Sequence, residues 1–253
     1  MSGRESGEGL MGFDGILGAV RRAFRSEPAP LRPSGQPLAL VYRGPASVPG
    51  CSEAVAGLLE ASRWGFDVRY TGPHEKVPLT AESLSLAAVY AQPGGGDLSR
   101  GYRHLKRHRG ALRDYVAGGG RYLGFCLGGY LAGATPGFAL LPGDTDQYIA
   151  TPGATVDDEE DTLVDVRWRG RERSVFFQDG PCFLLEPGNR ATVLATYPNG
   201  AVAALVTPYG EGRVAVVGPH PEATDDWFAD ADLPVRRAQD LGLDLVNEVM
   251  ADA

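Results

Sequence analysis

The chain is predicted to fold as an α/β domain, a mostly parallel sheet with helices on both faces, whose C-terminal half is rich in β-hairpins. Three observations predict this. Between residues 37 and 134, short apolar runs alternate with amphipathic segments of helical period. Such an order builds βαβ units, whose crossovers lay helices on the two faces of a parallel sheet. After residue 134 the pattern changes to strand-like runs separated by turn residues.

Leu38-Ala39-Leu40-Val41-Tyr42 reads as the first buried strand, followed by a helix over residues 52–63. Residues 66–70 and 87–91 read as the second and third strands. A helix with a basic outer face is expected over 102–117, stopped by Gly118-Gly119-Gly120. Residues 122–125 form a further strand. Downstream, 162–168 and 174–178 read as a hairpin closed by Arg-Gly-Arg-Glu. Residues 191–197 and 201–207 flank Pro198-Asn199-Gly200, a strong hairpin pattern. Gly210-Glu211-Gly212 turns the chain into a strand ending at His220, and a helix over 235–250 closes the domain. The acidic run 157–161 reads as a solvated loop.

Residues 1–36 differ in character and are expected to form an extension to a domain over 37–253. The first nine are rich in Gly, Ser and Glu, a composition of disorder. Phe13, Ile16, Leu17, Val20 and Phe24 then fall at helical spacing among Arg21, Arg22 and Arg25. That short helix either packs on the domain or docks on a protein partner or a membrane surface. Gly15 and Gly18 inside it each cost about 1 kcal/mol. A Pro-rich linker, residues 28–37, follows.

Composition narrows the function classes. A net charge of −8 and an acidic pI argue against a nucleic-acid partner, which calls for a basic face. Three cysteines without regular spacing do not make a disulfide framework, so a reducing cytoplasm is expected. No apolar run reaches the roughly 18 residues of a membrane span, and the N-terminus does not read as a secretion signal.

The chemistry concentrates in Arg121-Tyr122-Leu123-Gly124-Phe125-Cys126-Leu127-Gly128-Gly129-Tyr130. Glycines two residues before and after Cys126 are the spacing of a nucleophile elbow, a sharp strand-to-helix turn that holds its corner side chain in a strained conformation. A thiol there faces the first N–H groups of a helix, which favour the attacking thiolate. Far downstream, Val216-Val217-Gly218-Pro219-His220-Pro221-Glu222 ends an apolar strand in a histidine with a carboxylate two residues on. Cys126 as nucleophile, His220 as general base and later acid, and Glu222 as the group orienting the imidazole make a candidate triad. Oxyanion donors would come from the N–H groups of Leu127 and of Gly94 and Gly95 in the Gly-rich loop after the third strand. No Lys-Ser/Thr follows that loop, so a nucleotide P-loop is not expected.

Gly-Phe-Cys-Leu-Gly-Gly followed by His-Pro-Glu resembles the class I glutamine amidotransferase superfamily, whose members use a Cys-His-Glu triad. More narrowly, the chain is similar to the biotin-protein ligase N-terminal-type domain, which also occurs as a stand-alone bacterial protein. Val41-Tyr42-Arg43-Gly44-Pro45, Gln92-Pro93-Gly94-Gly95-Gly96-Asp97 and Tyr130 fit that group. The resemblance implies a flavodoxin-like, glutamine amidotransferase-like fold. It also implies a cysteine-dependent hydrolase or acyl transferase, with no cofactor, acting on a small-molecule or peptide amide. Glutamine amidotransferases typically continue with His-Gln where this chain has Gly129 and Tyr130, so an amide other than free glutamine is expected. The alternative is a non-catalytic module that binds a ligand or partner in the same cleft.

Gly44, Gly96, Asp97 and Tyr130 are the candidate substrate contacts; for Asp97 the favoured reading is a helix cap, and for Tyr130 the alternative is a packed core residue. Cys51 and Cys182 are read mainly as packing residues; the alternatives are that Cys51 lines the site and that the loop over 178–182, which carries Cys182, reaches the pocket. His74, His104 and His108 show no metal-ligand spacing, and His104 and His108 read as part of a solvated basic helix face. No metal site is expected, and the oligomeric state is open.

Overall fold

A computed structural model of the chain describes residues 35–251, and the expected extension helix over 13–24 lies outside the described residues. Five parallel strands form the half of the sheet that carries the elbow: β1 (Leu38–Tyr42), β2 (Asp67–Thr71), β3 (Val89–Gln92), β4 (Arg121–Phe125) and β11 (Gly212–Val217). Their spatial order is β2-β1-β3-β4-β11, every pair parallel. Four more strands continue that order from β11 in antiparallel fashion: β10 (Val202–Tyr209), β9 (Thr192–Thr196), β6 (Thr162–Trp168) and β7 (Arg171–Phe177). The mixed α/β architecture expected from the sequence is therefore the one observed.

Alternate residues of the parallel strands feed two cores. Ala39, Val41, Leu123, Phe125, Ala215 and Val217 face one side. There they share a cluster with Val55 and Leu59 of α1 (Cys51–Glu60) and Leu245, Val246 and Val249 of the last helix, α7 (Gln239–Met250). On the opposite side Tyr122 lies 5.9 Å from Tyr90 and 6.1 Å from Phe138, ring centre to ring centre. Two buried faces explain why these strands read as unbroken apolar runs.

The expected helix over 102–117 is interrupted. It is α3 (Leu98–Leu105), a 3-10 turn (Lys106–His108) and α4 (Arg109–Ala117). Asp97 moves the start forward by accepting a 2.7 Å hydrogen bond from the Arg100 N–H. Like charges at Arg103, Lys106 and Arg107, spaced three and four apart, together with Gly110, weaken a continuous helix. The last helix likewise starts at Gln239 rather than at residue 235. The first hairpin turns at Arg169 and Gly170, both with positive φ (46° and 81°), the tight two-residue geometry that matches strand twist.

Four short elements are absent from the sequence reading: α2 (Ala81–Ser85), β5 (Gly143–Gln147), β8 (Pro181–Leu185) and α6 (Asp225–Asp230). The polar Gly-Asp-Thr-Asp-Gln of β5 has no apolar alternation. It becomes a strand only because β8 pairs with it along its whole length.

Candidate active site

The elbow forms where the glycine spacing expects it. Cys126 links β4 to a short helix, α5 (Leu127–Ala132), with φ 45° and ψ −107°, a conformation L-residues rarely adopt. Neighbouring backbone hydrogen bonds hold it: the Cys126 N–H donates to Val217 O (2.9 Å) and its carbonyl accepts from the Tyr130 N–H (3.0 Å). A Cβ at position 124 would lie 2.5 Å from Gly128 O, and one at 128 would run into the Gln92 carbonyl. Only glycine lets strand and helix close this tightly.

The histidine arrives from the other side of β4. Beyond β11 the chain forms a bridge to the end of β7, the His220 N–H donating to Phe176 O at 2.8 Å. Its ring packs edge-on against Phe176 and Trp227, with centres 6.1 and 5.3 Å away. Nδ1 is 2.8 Å from Glu222 Oε1, and both side chains are buried (His220 4 % and Glu222 1 % exposed). The second oxygen of Glu222 has no hydrogen-bond partner among the described residues. Burial by itself would push the imidazole pKa down. The Glu222 carboxylate, then the charge and hydrogen bond of Cys126, outweigh it and push the pKa up to about 10. His220 thus has the Glu222 carboxylate and the Cys126 sulfur beside it, and both raise its affinity for a proton.

The Gly-rich loop lies against this group. A Cβ on Gly94 would be 2.8 Å from His220 Cε1 and 3.2 Å from Cys51 Sγ, and one on Gly95 would strike the Leu127 side chain. Among the described residues, the N–H groups of Gly94 and Gly95 take part in none of the loop and turn hydrogen bonds. Gly94, Gly95, Leu127, Cys126, His220 and Glu222 are therefore gathered in one place.

The other candidates fall elsewhere. Gly44 packs between Tyr42 and Pro73 on the flank of β1, and Asp97 caps α3. Gly96 has open space around it. Cys51 lines the same cavity as His220, and burial, with Glu222 and Cys126 nearby, raises its pKa far above the usual thiol range. Cys182 is buried in β8, opposite Asp146 of β5.

The loop starting at Gln178, which the sequence reading gives as reaching the pocket only in its less favoured alternative, covers the sulfur. Cys126 Sγ donates to Gln178 O (3.7 Å), just past the end of β7. The next residue, Asp179, has φ 41°, its carbonyl accepts from the Tyr130 hydroxyl (3.1 Å), and its carboxylate accepts from Gln147 Nε2 (3.0 and 3.2 Å). A cavity of about 260 Å3 opens beside this cover, bordered by Cys51, Gly95, Phe176, Gln178, His220 and Trp227. Cys126, 6 % exposed, stands behind that border. The one local clue to the cover was the Asp-Gly turn dipeptide at 179–180.

Comparison with known proteins agrees with the sequence resemblance. Residues 39–150 match the family model for the N-terminal part of biotin-protein ligase. The chain is 28% identical to a biotin–protein ligase of Schizosaccharomyces pombe, across 58% of this chain and 27% of that protein. It thus spans about a quarter of that curated relative's length. A crystal structure of a glutamine amidotransferase superposes with a TM-score of 0.54 at 16% identity, covering 78% of this chain and 99% of that one. A cytoplasmic protein of Salmonella typhimurium LT2 superposes with a TM-score of 0.51 at 14% identity, covering 85% and 99%. At these identities the two structures show a shared fold. Among the described residues, no helix is long and apolar enough to cross a membrane.

Proposed function

We propose that this chain, whose residues 39–150 carry a biotin-protein ligase N-terminal-type domain within a glutamine amidotransferase-like fold, is a thiol-dependent amidohydrolase or acyl transferase. One observation carries the reading: a buried imidazole lies between a carboxylate at 2.8 Å and the Cys126 thiol, with a glycine of the Gly-rich loop against its edge.

In this reading an entering amide displaces the Gln178 carbonyl from Cys126, the thiol gives up its proton to water, and the thiolate faces the imidazolium of His220. Sγ attacks the carbonyl carbon of an amide, and the carbonyl electron pair moves onto oxygen, where the N–H groups of Gly94, Gly95 and Leu127 receive it. As the C–N bond breaks, the imidazolium passes its proton to the departing amine and a thioester remains on Cys126. His220 then takes a proton from water, or from an acceptor amine, as that group attacks the thioester. Glu222 keeps Nδ1 protonated, so Nε2 serves the sulfur throughout. An amide other than free glutamine fits best, because Gly129 and Tyr130 stand where glutamine amidotransferases typically carry His-Gln.

A second reading has its own support. The sulfur is covered by the Gln178 carbonyl and does not border the cavity, as in a module that holds a ligand without turning it over. Neutral-pH incubation with an acyl-reactive probe, read by mass spectrometry of the intact chain, separates the two. A single adduct on Cys126, absent in Cys126→Ala, supports the hydrolase. No adduct at that residue rejects it in favour of the binding module.

A further inference from the structure

A second, larger cavity of about 600 Å3 lies on the flank of β1, away from the thiol. Three of the protein's four histidines border it, His74, His104 and His108, together with Arg103 and Arg107. The sequence reading assigns this part of α3 and the following 3-10 turn to a solvated basic face. Instead, pairs spaced four apart, Arg103/Arg107 and His104/His108, look across a cleft at the segment after β2.

The electrostatics of the cleft are one-sided. The carboxylate bordering it is Glu75, whose two oxygens already accept from Arg43 at 2.7 and 3.1 Å. Among the described residues, neither Arg103 nor Arg107 pairs with a carboxylate. Arg107 donates instead through Nε to Nε2 of His108 (3.0 Å), which aims its guanidinium without neutralising it. Two guanidinium groups without a carboxylate partner thus converge on one hollow in a chain of net charge −8, and like charges this close favour an anion between them. The remaining border includes Pro73, Pro78 and Leu79, an apolar wall that suits an organic portion.

We infer that this cleft binds a phosphate-bearing small molecule, its phosphate held by Arg103 and Arg107 and by the facing histidines. Planar guanidinium forks match the oxygens of a dianionic phosphate, and the N–H groups of the imidazoles add donors. The volume exceeds that of a bare phosphate, which leaves room for the group it esterifies. This site stands apart from the Cys126 reading. Residue 45 borders the basic cleft, whereas residues 48–51 border the cavity beside His220.

The test is a titration of the full chain with inorganic phosphate, pyrophosphate and citrate, following the four histidine ring resonances by NMR. Saturable shifts of His74, His104 and His108 with pyrophosphate, His220 unmoved, are expected. The double variant Arg103→Gln/Arg107→Gln should weaken that binding at least tenfold and leave alkylation of Cys126 at the wild-type rate. Both side chains are exposed and hold no other element, so its unfolding midpoint should match the wild type; if it falls, Arg103→Gln alone replaces it and should weaken binding severalfold. Absence of saturable shifts, binding that survives these substitutions, a response centred on His220, or citrate binding as tightly as pyrophosphate would each overturn the inference.

Discussion

His220 Nδ1 and Glu222 Oε1 meet at 2.8 Å inside the protein, two residues apart in sequence and separated by Pro221. The short reach is possible because the β11 strand has already ended at Val217, and the chain curls back to bridge Phe176. Charge coupling at this pair gives the first prediction. With the folded imidazole near pH 10 and the unfolded one near 6.5, the native state binds more protons between those values. Its contribution to stability is full below about pH 6.5 and is lost as pH rises toward 10. Urea midpoints measured at pH 6, 8 and 10 should fall along the series. Glu222→Gln removes the largest group raising the imidazole and should flatten that fall.

His220→Asn should lower the rate of Cys126 acylation by about 10²–10⁴-fold, the usual size of a general acid–base contribution. Rates of thioester formation with a chromogenic amide or ester give the number. A loss below tenfold would mean that the imidazole does not move the proton.

Tyr130→Phe removes the hydroxyl that clamps the Asp179 carbonyl and leaves the ring in place. The cost to stability should be about 1 kcal/mol. The cover over the sulfur loosens, so iodoacetamide should label Cys126 faster than in the wild type. An unchanged labelling rate would show that the Gln178 segment does not control access.

Two glycine substitutions should part company. Gly128→Ala forces a Cβ into the rigid Gln92 carbonyl and should cost roughly 3 kcal/mol or more, lowering the unfolding midpoint. Gly94→Ala meets the edge of an imidazole and a cysteine sulfur, which can shift by tenths of an ångström. It should reduce Cys126 acylation severalfold while the midpoint moves little.

What the sequence determined by itself was local. Glycines at 124 and 128 can be read as an elbow because the constraint lies within one strand and one turn of helix. The His-Pro-Glu spacing set the carboxylate beside the imidazole. The apolar runs of β1, β3, β4 and β11 announced strands buried on both faces. Tertiary structure decided whatever depends on residues far apart in the chain. Strand β5 exists because β8 supplies its hydrogen bonds, not because its polar residues favour a strand. The cover over Cys126 is built from Gln178, Asp179, Tyr130 and Gln147; Tyr130 stands in the elbow motif, but no pattern in the sequence pairs it with Asp179 or joins Gln147 to them. The basic cleft also needed the fold. A run of Arg and His at four-residue spacing has the same sequence whether it faces water or a hollow, and only the packing of the segment after β2 across from it gives those charges a common focus.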